Sequence, residues 1–424
     1  MRVFKFGGAS VKSSEAVKNV AAILKQQKNE SLIVIISAMG KITNKLEELV
    51  DAHFYNKKER KQIYNEVKSF HQNIINELMD NEFDYYEVDN LLIELECIIE
   101  KKRDRSMSYD EEYDRIVSFG ELISTKIVST YLNKIGYKNR WIDARNFVIT
   151  TEKNRAANVL WDESVPLIKN SLKPLVKKQT IITQGFIGRS LKNKITTLGR
   201  EGSDYSAAIF AYALDAESVT IWKDVAGVMN GDPKRFEDAV LIPKLSYNEA
   251  IELAYYGASV IHPKTIQPLK NKKIPLYVKS FINTEEEGTA VVENESKTLN
   301  EVQCYIVKEN QSVVNIASKD FSFIVEDNLE LIFNAINAVG IQFNLMQNSA
   351  ISFVACFNAD EDKALALAAK LEEKFKVKVD KGNTLLTIFN HNSSNSKLDN
   401  IIGKRKVLLE QKSNSALQLV LVDA

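Results

Sequence analysis

Lysine, glycine and serine crowd the start of the chain in Lys5-Phe6-Gly7-Gly8-Ala9-Ser10, directly after Val3-Phe4. In a strand alternate residues share a face, so Phe4 and Phe6 point one way and Val3 and Lys5 the other. So apolar a strand is expected to be buried, and a buried ammonium needs an anion to meet it. Gly7 and Gly8 let the backbone turn tightly and bring its N–H groups up to a ligand. Together these are parts that can hold a phosphate, although a lysine at a strand end also suits plain snorkelling. Ser37, in Ser37-Ala38-Met39-Gly40, closes a second apolar run at 32–36. Gly199-Arg200-Glu201-Gly202-Ser203-Asp204 then puts an arginine, two glycines and a capping acid, Asp204, in six positions. The guanidinium is a planar fork suited to a carboxylate or phosphate, while Ser203 and Asp204 alone would suit a helix cap. Trp222-Lys223-Asp224-Val225, continuing to Lys234, offers charges to a nucleotide. Glu121, in Phe119-Gly120-Glu121, stands near a helix start, where compensation of the helix dipole is its simplest role.

The chemistry that fits is phosphoryl transfer. It asks for positive charge on the moving group and for two reactants held in line. A carboxylate acceptor is already ionised at neutral pH and needs no catalytic base, which agrees with the lack of any histidine or cysteine constellation. The sequence contains no G-x-x-x-x-G-K-[ST] run, no G-x-G-x-x-G fingerprint and no protein-kinase signature set.

Positioning such residues requires strand ends. A serine-capped helix is expected from 13 or 14 to about 27, and the continuous apolar run at 32–36 is the mark of a buried parallel strand. Further strands are expected at 140–143, 180–184, 195–198, 219–223 and 276–279. Strands alternating with helices make an α/β sheet, whose ligands sit beyond the carboxyl ends of the strands. Between 41 and 119 there is neither Gly nor Pro, and helical apolar spacing points to inserted helices of structural use. His53 and His71 fall there as helix-surface or packing residues, and His262 as a packed loop residue. The acidic, polar stretch 285–300 is the expected linker. Beyond it, strand, helix, two strands, helix and strand (313–317 to 377–379) give a ferredoxin-like split motif, with a shorter echo after 385.

At 424 residues two or three domains are expected. A formal net charge of zero excludes a global basic footprint for nucleic acid or an acidic membrane. Three widely spaced cysteines give no disulfide frame or zinc site. Without a signal-peptide pattern or a membrane-spanning run, a cytoplasmic location is expected.

Five of these blocks (Lys5–Val11, Ser37–Asn44, Phe119–Glu121, Gly199–Asp204 and Trp222–Val225) occur in the order found in aspartate kinases, which the sequence resembles over nearly its whole length. The resemblance implies a three-layer αβα amino-acid-kinase (carbamate-kinase-like) domain at 1–290, with a helical insertion at about 44–118. It also implies a C-terminal α+β ferredoxin-like ACT region, with one ACT-like domain at 301–382 and a short second unit at 383–424. Implied chemistry is transfer of the γ-phosphoryl of ATP, as its Mg2+ complex, to the β-carboxylate of L-aspartate. By analogy Lys5 neutralises the transferring group, and Asp204 orients Lys5 and helps position the phosphates and magnesium, with no direct protein metal site otherwise. Gly7, Gly8, Ser37, Lys223, Asp224 and Lys234 serve the nucleotide, and Thr43, Glu121, Arg200 and Ser203 the amino acid. Asn344, Asn348 and Ser349 would face an amino-acid effector, lysine or threonine, and the ACT region would form a homodimer. Ala9, Glu201, Lys223 and Ser259 depart from the family pattern. The other readings are a superfamily member with a glutamate-type acceptor and an inactive amino-acid-sensing protein.

Overall fold

A computed structural model describes residues 1–27, 31–79, 85–258, 261–293, 302–320, 322–391 and 398–422. Two compact units emerge: 1–228 with 241–251 and 259–296, and 229–240 with 252–258 and 297–424. The first unit is therefore not one contiguous run to 290, because two short excursions belong to the second.

In the first unit the strands are β1 (Arg2–Phe6), β2 (Leu32–Ile36), β3 (Asn139–Trp141), β4 (Ile149–Thr150), β5 (Thr180–Gln184), β6 (Ile187–Ser190), β7 (Ile195–Thr197), β8 (Ser218–Lys223), β9 (Lys244–Ser246), β10 (Leu276–Ser280) and β11 (Thr289–Val292). Its helices are α1 (Ser14–Gln26), α2 (Ile42–Phe54), α3 (Arg60–Leu78), α4 (Tyr86–Glu100), α5 (Tyr109–Val117), α6 (Phe119–Lys134), α7 (Trp161–Val176) and α8 (Gly202–Leu214), then α9 (Tyr247–Tyr256), which runs across the boundary between the units, and α10 (Pro263–Asn271). Eight strands form one sheet in the order β3-β5-β2-β1-β8-β10-β11-β9, and β4, β6 and β7 form a small second sheet. The opening strand sits between β2 and β8, parallel to both, with Lys5 level with Ile35 and Ile221.

Alternation sorts the side chains of the central strands. Phe4, Phe6, Leu32, Val34 and Ile36 share a core with residues of α1 and α6, and Trp222 stacks on Phe6 at 5.9 Å between ring centroids. Helix α8 covers β1, β2 and β8 and packs against α7 and α10. The result is three layers, helices on both faces of a mostly parallel sheet. Helices α2 to α5 extend the α1 and α6 side of that core. His71 is buried there, and His53 pairs with the buried Glu112 (Nε2 to Oε1, 2.9 Å), so both histidines pack and neither lies on a helix surface.

The stretch expected to be linker is not uniform: Thr289–Val292 is strand β11, antiparallel to β10. Thr289 is buried and its hydroxyl donates to the Ile242 carbonyl at 2.7 Å, which holds the acidic run to the sheet.

The second unit has six strands, β12 (Cys304–Ser318), β13 (Phe343–Asn348), β14 (Ser352–Asn358), β15 (Phe375–Phe389), β16 (Lys406–Lys412) and β17 (Ala416–Val422), with helices α11 (Glu326–Val339), α12 (Glu361–Leu371) and α13 (Leu398–Ile402). All are antiparallel in one sheet ordered β13-β14-β12-β15-β17-β16. The β-α-β-β-α-β order is present, but β12 and β15 are longer than their sequence signals. A bulge between Lys308 and Val313 interrupts both with polar residues, so each reads in sequence as a short strand. Strand β15 runs through the expected division at 382, and both halves share the sheet.

Candidate active site

The catalytic-looking side chains meet at the carboxyl ends of β1, β2 and β8 and at the start of α8. A cavity of about 480 Å³ is lined by Lys5, Ser37, Thr43, Glu121, Arg200, Ser203, Asp204 and Lys223, among others. Those eight were expected from the sequence to share a site. The Lys5 ammonium lies 2.7 Å from Asp204 Oδ1, and Lys223 Nζ lies 3.7 Å from Oδ2 of the same carboxylate. Lys5 and Asp204 side chains are only 11% and 3% exposed, so the anion demanded by a buried lysine is supplied two hundred residues along the chain.

Gly8 is where a side chain cannot be tolerated. A Cβ there would lie 2.7 Å from the Gly40 carbonyl oxygen and 2.8 Å from that of Ala38. The Gly7-Gly8 turn is thereby pressed onto the loop after β2, and the Gly40 amide donates to the Gly8 carbonyl at 3.0 Å. Ser37 is fixed from behind, its carbonyl accepting from the Ser124 hydroxyl of α6 at 2.7 Å.

Glu121 belongs to the first turn of α6, a helix buried on nearly every side. Its Oε1 accepts from the Ala38 amide at 3.2 Å, while Oε2 is buried with no hydrogen-bond partner. Burial pushes this carboxyl up to about 8, against the smaller opposing pull of the Ala38 amide and of Lys5. A buried carboxyl so shifted, with one unsatisfied oxygen and lining a cavity, is a candidate functional group. Arg200 is exposed and has no ionic partner among the described residues. Glu201 precedes α8 with φ 53°, a left-handed conformation rare for glutamate, and its Oε2 is also buried without a partner.

The other expected site residues are not among those lining the cavity. Gly7 borders the cavity, an added Cβ there being 3.4 Å from Lys5 Nζ. Asp224 is exposed just beyond β8, and Lys234 belongs to the second unit. Ser259 falls outside the described residues. In the second unit Asn344 accepts from Lys308 Nζ at 2.8 Å and donates to Gln311 and Asn358 at 2.7 and 2.9 Å. Asn348 donates to the Ile324 carbonyl, and Ser349 bonds with Ser352 across a turn, so the three side chains are engaged separately. The cavity also includes Tyr113, Arg155 and Phe186, none of them singled out by sequence. Tyr113 comes from the helical insertion, which therefore contributes to the site wall as well as to packing.

Residues 1–280 match the Amino acid kinase family. The chain belongs to this family. As an amino acid kinase it is 30% identical over 416 residues to the chloroplastic bifunctional aspartokinase/homoserine dehydrogenase of Daucus carota, covering 92% of this chain and 44% of that protein. It is 32% identical over 367 residues to the chloroplastic aspartokinase 2 of Arabidopsis thaliana, covering 82% of this chain and 65% of the relative. The chain thus spans between about half and two thirds of the length of these curated relatives. The solved structure of E. coli aspartokinase III in complex with aspartate and ADP superposes with a TM-score of 0.84 at 26% identity, over 99% of this chain and 96% of that one. The same enzyme with lysine and aspartate gives 0.82. Among the described residues no helix is long and apolar enough to cross a membrane, and no cluster of three metal-ligating side chains occurs.

Proposed function

We propose that this amino acid kinase is an aspartate kinase, transferring the γ-phosphoryl group of ATP to the β-carboxylate of L-aspartate. The observation that carries the reading is the single cavity in which a buried lysine–aspartate pair, a carboxyl with an unsatisfied oxygen and an unpaired guanidinium converge. Arg200 suits the α-carboxylate of the acceptor and Glu121 its ammonium, with Thr43 and Ser203 completing that side. Lys5 and Lys223 then face the anionic phosphates, with the Gly7-Gly8 turn and Ser37 on the same side. A β-carboxylate oxygen attacks the γ-phosphorus, the new O–P bond forms, and the β–γ bridging oxygen departs with ADP. Lys5 stabilises charge on the group in flight, and Asp204 holds Lys5 in place.

Asp204 also fits a magnesium ion carried by the nucleotide: it is a hard carboxylate on the cavity wall, with Oδ1 held by Lys5 at 2.7 Å and Oδ2 only loosely approached by Lys223 at 3.7 Å. Such an ion would offset phosphate charge. Support for the acceptor comes from the aspartate and ADP bound in E. coli aspartokinase III. The second unit, with its ferredoxin-like sheet, would serve as an ACT-type regulatory region that pairs two copies and answers to an amino acid, lysine being the ligand in the related complex. Three free cysteines are compatible with a cytoplasmic setting.

The test is product formation from ATP and aspartate trapped with hydroxylamine as the hydroxamate, with glutamate in parallel. Aspartyl hydroxamate is expected, abolished in Lys5→Met, whose Asp204 keeps Lys223 as counter-ion. Product from glutamate alone, or from neither, overturns the assignment.

A further inference from the structure

Arg155 lines the same cavity as Arg200, and its backbone is held there against a steric penalty. Its φ is 60°, the left-handed region that a non-glycine residue enters only against steric strain. Asp114 of α5, fully buried, is what holds it. The Arg155 amide donates to both Asp114 oxygens (3.2 and 3.1 Å), Asn154 Nδ2 donates to Oδ2 (2.8 Å) and the Thr197 hydroxyl to Oδ1 (2.6 Å). Thr197 ends β7 and leads into Gly199-Arg200, and its carbonyl accepts from the Ala157 amide at 2.9 Å. Gly199, at φ 79°, lets that loop come so close that an added Cβ would lie 3.0 Å from the Arg155 carbonyl oxygen. One buried carboxylate therefore fixes two arginine-bearing loops.

The guanidinium of Arg155 lies over the Tyr113 ring, 4.2 Å from its centroid. Tyr113 donates to Glu47 at 2.7 Å, one turn along α2 from Thr43, so Arg155 is on the acceptor side of the cavity as read above. Its carboxylate neighbour Asp110 is 3.4 Å away and 55% exposed, a contact that water screens. Strain, a dedicated buried carboxylate and an aromatic platform are more than a surface arginine needs, and they present its charge to a ligand in the cavity.

We propose that Arg155 is a second acceptor-binding guanidinium, sharing with Arg200 the α-carboxylate of an amino-dicarboxylate substrate, and that Asp114 is its positioning residue. The inference rests on the acceptor being aspartate. Steady-state kinetics of Arg155→Ala and Arg155→Lys, run beside the unsubstituted enzyme, test it. Losing a charge-assisted hydrogen bond raises KM for aspartate about 10- to 100-fold in Arg155→Ala, with a smaller rise in Arg155→Lys, while KM for ATP stays within about twofold because the phosphate side is untouched. Asp114→Asn shifts KM for aspartate in the same selective way. An aspartate KM unchanged in both arginine variants, or an equal rise for ATP, overturns the proposal. If the unsubstituted enzyme fails to phosphorylate aspartate, the functional reading fails separately. Calorimetric titration of wild type and Arg155→Ala with aspartate and glutamate then decides the arginine: weaker binding of either in the variant supports its role, and equal or absent binding rejects it.

Discussion

Glu121 gives the sharpest forecast. Its carboxyl ordinarily titrates near 4.5 and is pushed by burial to about 8. At about 1.4 kcal/mol per pH unit, that gap corresponds to roughly 5 kcal/mol favouring the protonated form. Burial thus favours the neutral acid in the ligand-free site around neutral pH, whereas the proposed contact with the acceptor's ammonium calls for the carboxylate. Binding must release a proton, and KM for aspartate should fall as pH rises, by nearly tenfold per unit between about pH 6 and 7.5, levelling off above pH 8. Glu121→Gln cannot ionise: its KM should be about 100-fold higher than wild type at pH 8 and flat with pH, because a charged hydrogen bond is lost. The hydroxamate assay from pH 6 to 8.5 measures this, and calorimetry in buffers of different ionisation enthalpy counts the proton. Stability has its own signature. Between 4.5 and 8 the folded chain binds a proton that the unfolded chain has released, so wild-type stability declines as pH rises through that window. Glu121→Gln should lack the decline. A wild-type KM that is flat from pH 6 to 8, or a Glu121→Gln variant with the same slope, refutes the reasoning.

Other perturbations test separate parts of the structure. Gly8→Ala forces a methyl group to within 2.7 Å of the Gly40 carbonyl, so the turn must shift: turnover should drop by about tenfold or more, and the thermal unfolding midpoint should fall with it. Lys223→Thr removes the second ammonium from Asp204 and should raise KM for ATP and not for aspartate; an unchanged ATP value rejects a role for Lys223. His71 is buried, and desolvation lowers its imidazole from 6.5 to about 4. The unfolded chain takes up a proton below 6.5 that the folded chain refuses, so stability present above that pH is lost as pH falls toward 4, by about 3 kcal/mol in total. Urea unfolding at pH 7 and 4.5 should show this loss in wild type and not in His71→Leu.

Sequence patterns were informative wherever one residue's surroundings lie in its own segment. The run Leu32–Ile36 is apolar because it is covered on both faces, and α1 shows its stripe because one side meets solvent. Helix α6 carries no such stripe, since it is buried almost all round. Strand β11 was masked by the acidic residues before it, and β12 and β15 by polar residues at a shared bulge. At the site, Lys5, Arg200 and Asp204 stood out because charge beside glycine is unusual at a strand end. Arg155 carried no local signal. Its place depends on the buried Asp114, forty-one positions earlier, and nothing in the intervening residues encodes that bond. Tyr113 was hidden in the same way, lying in a run whose spacing describes only helix packing.

The position of β1 between β2 and β8 has a consequence for how the protein is made. Its neighbour on one side follows within thirty residues, but the other, Ser218–Lys223, leaves the ribosome only after more than two hundred have been joined. Until then the first strand has an unpaired edge and its lysine has no counter-ion. A nascent chain cut short before α8 and β8 therefore has neither the Asp204 carboxylate nor the Lys223 ammonium, and the cluster proposed to meet the phosphates cannot assemble until both have been made.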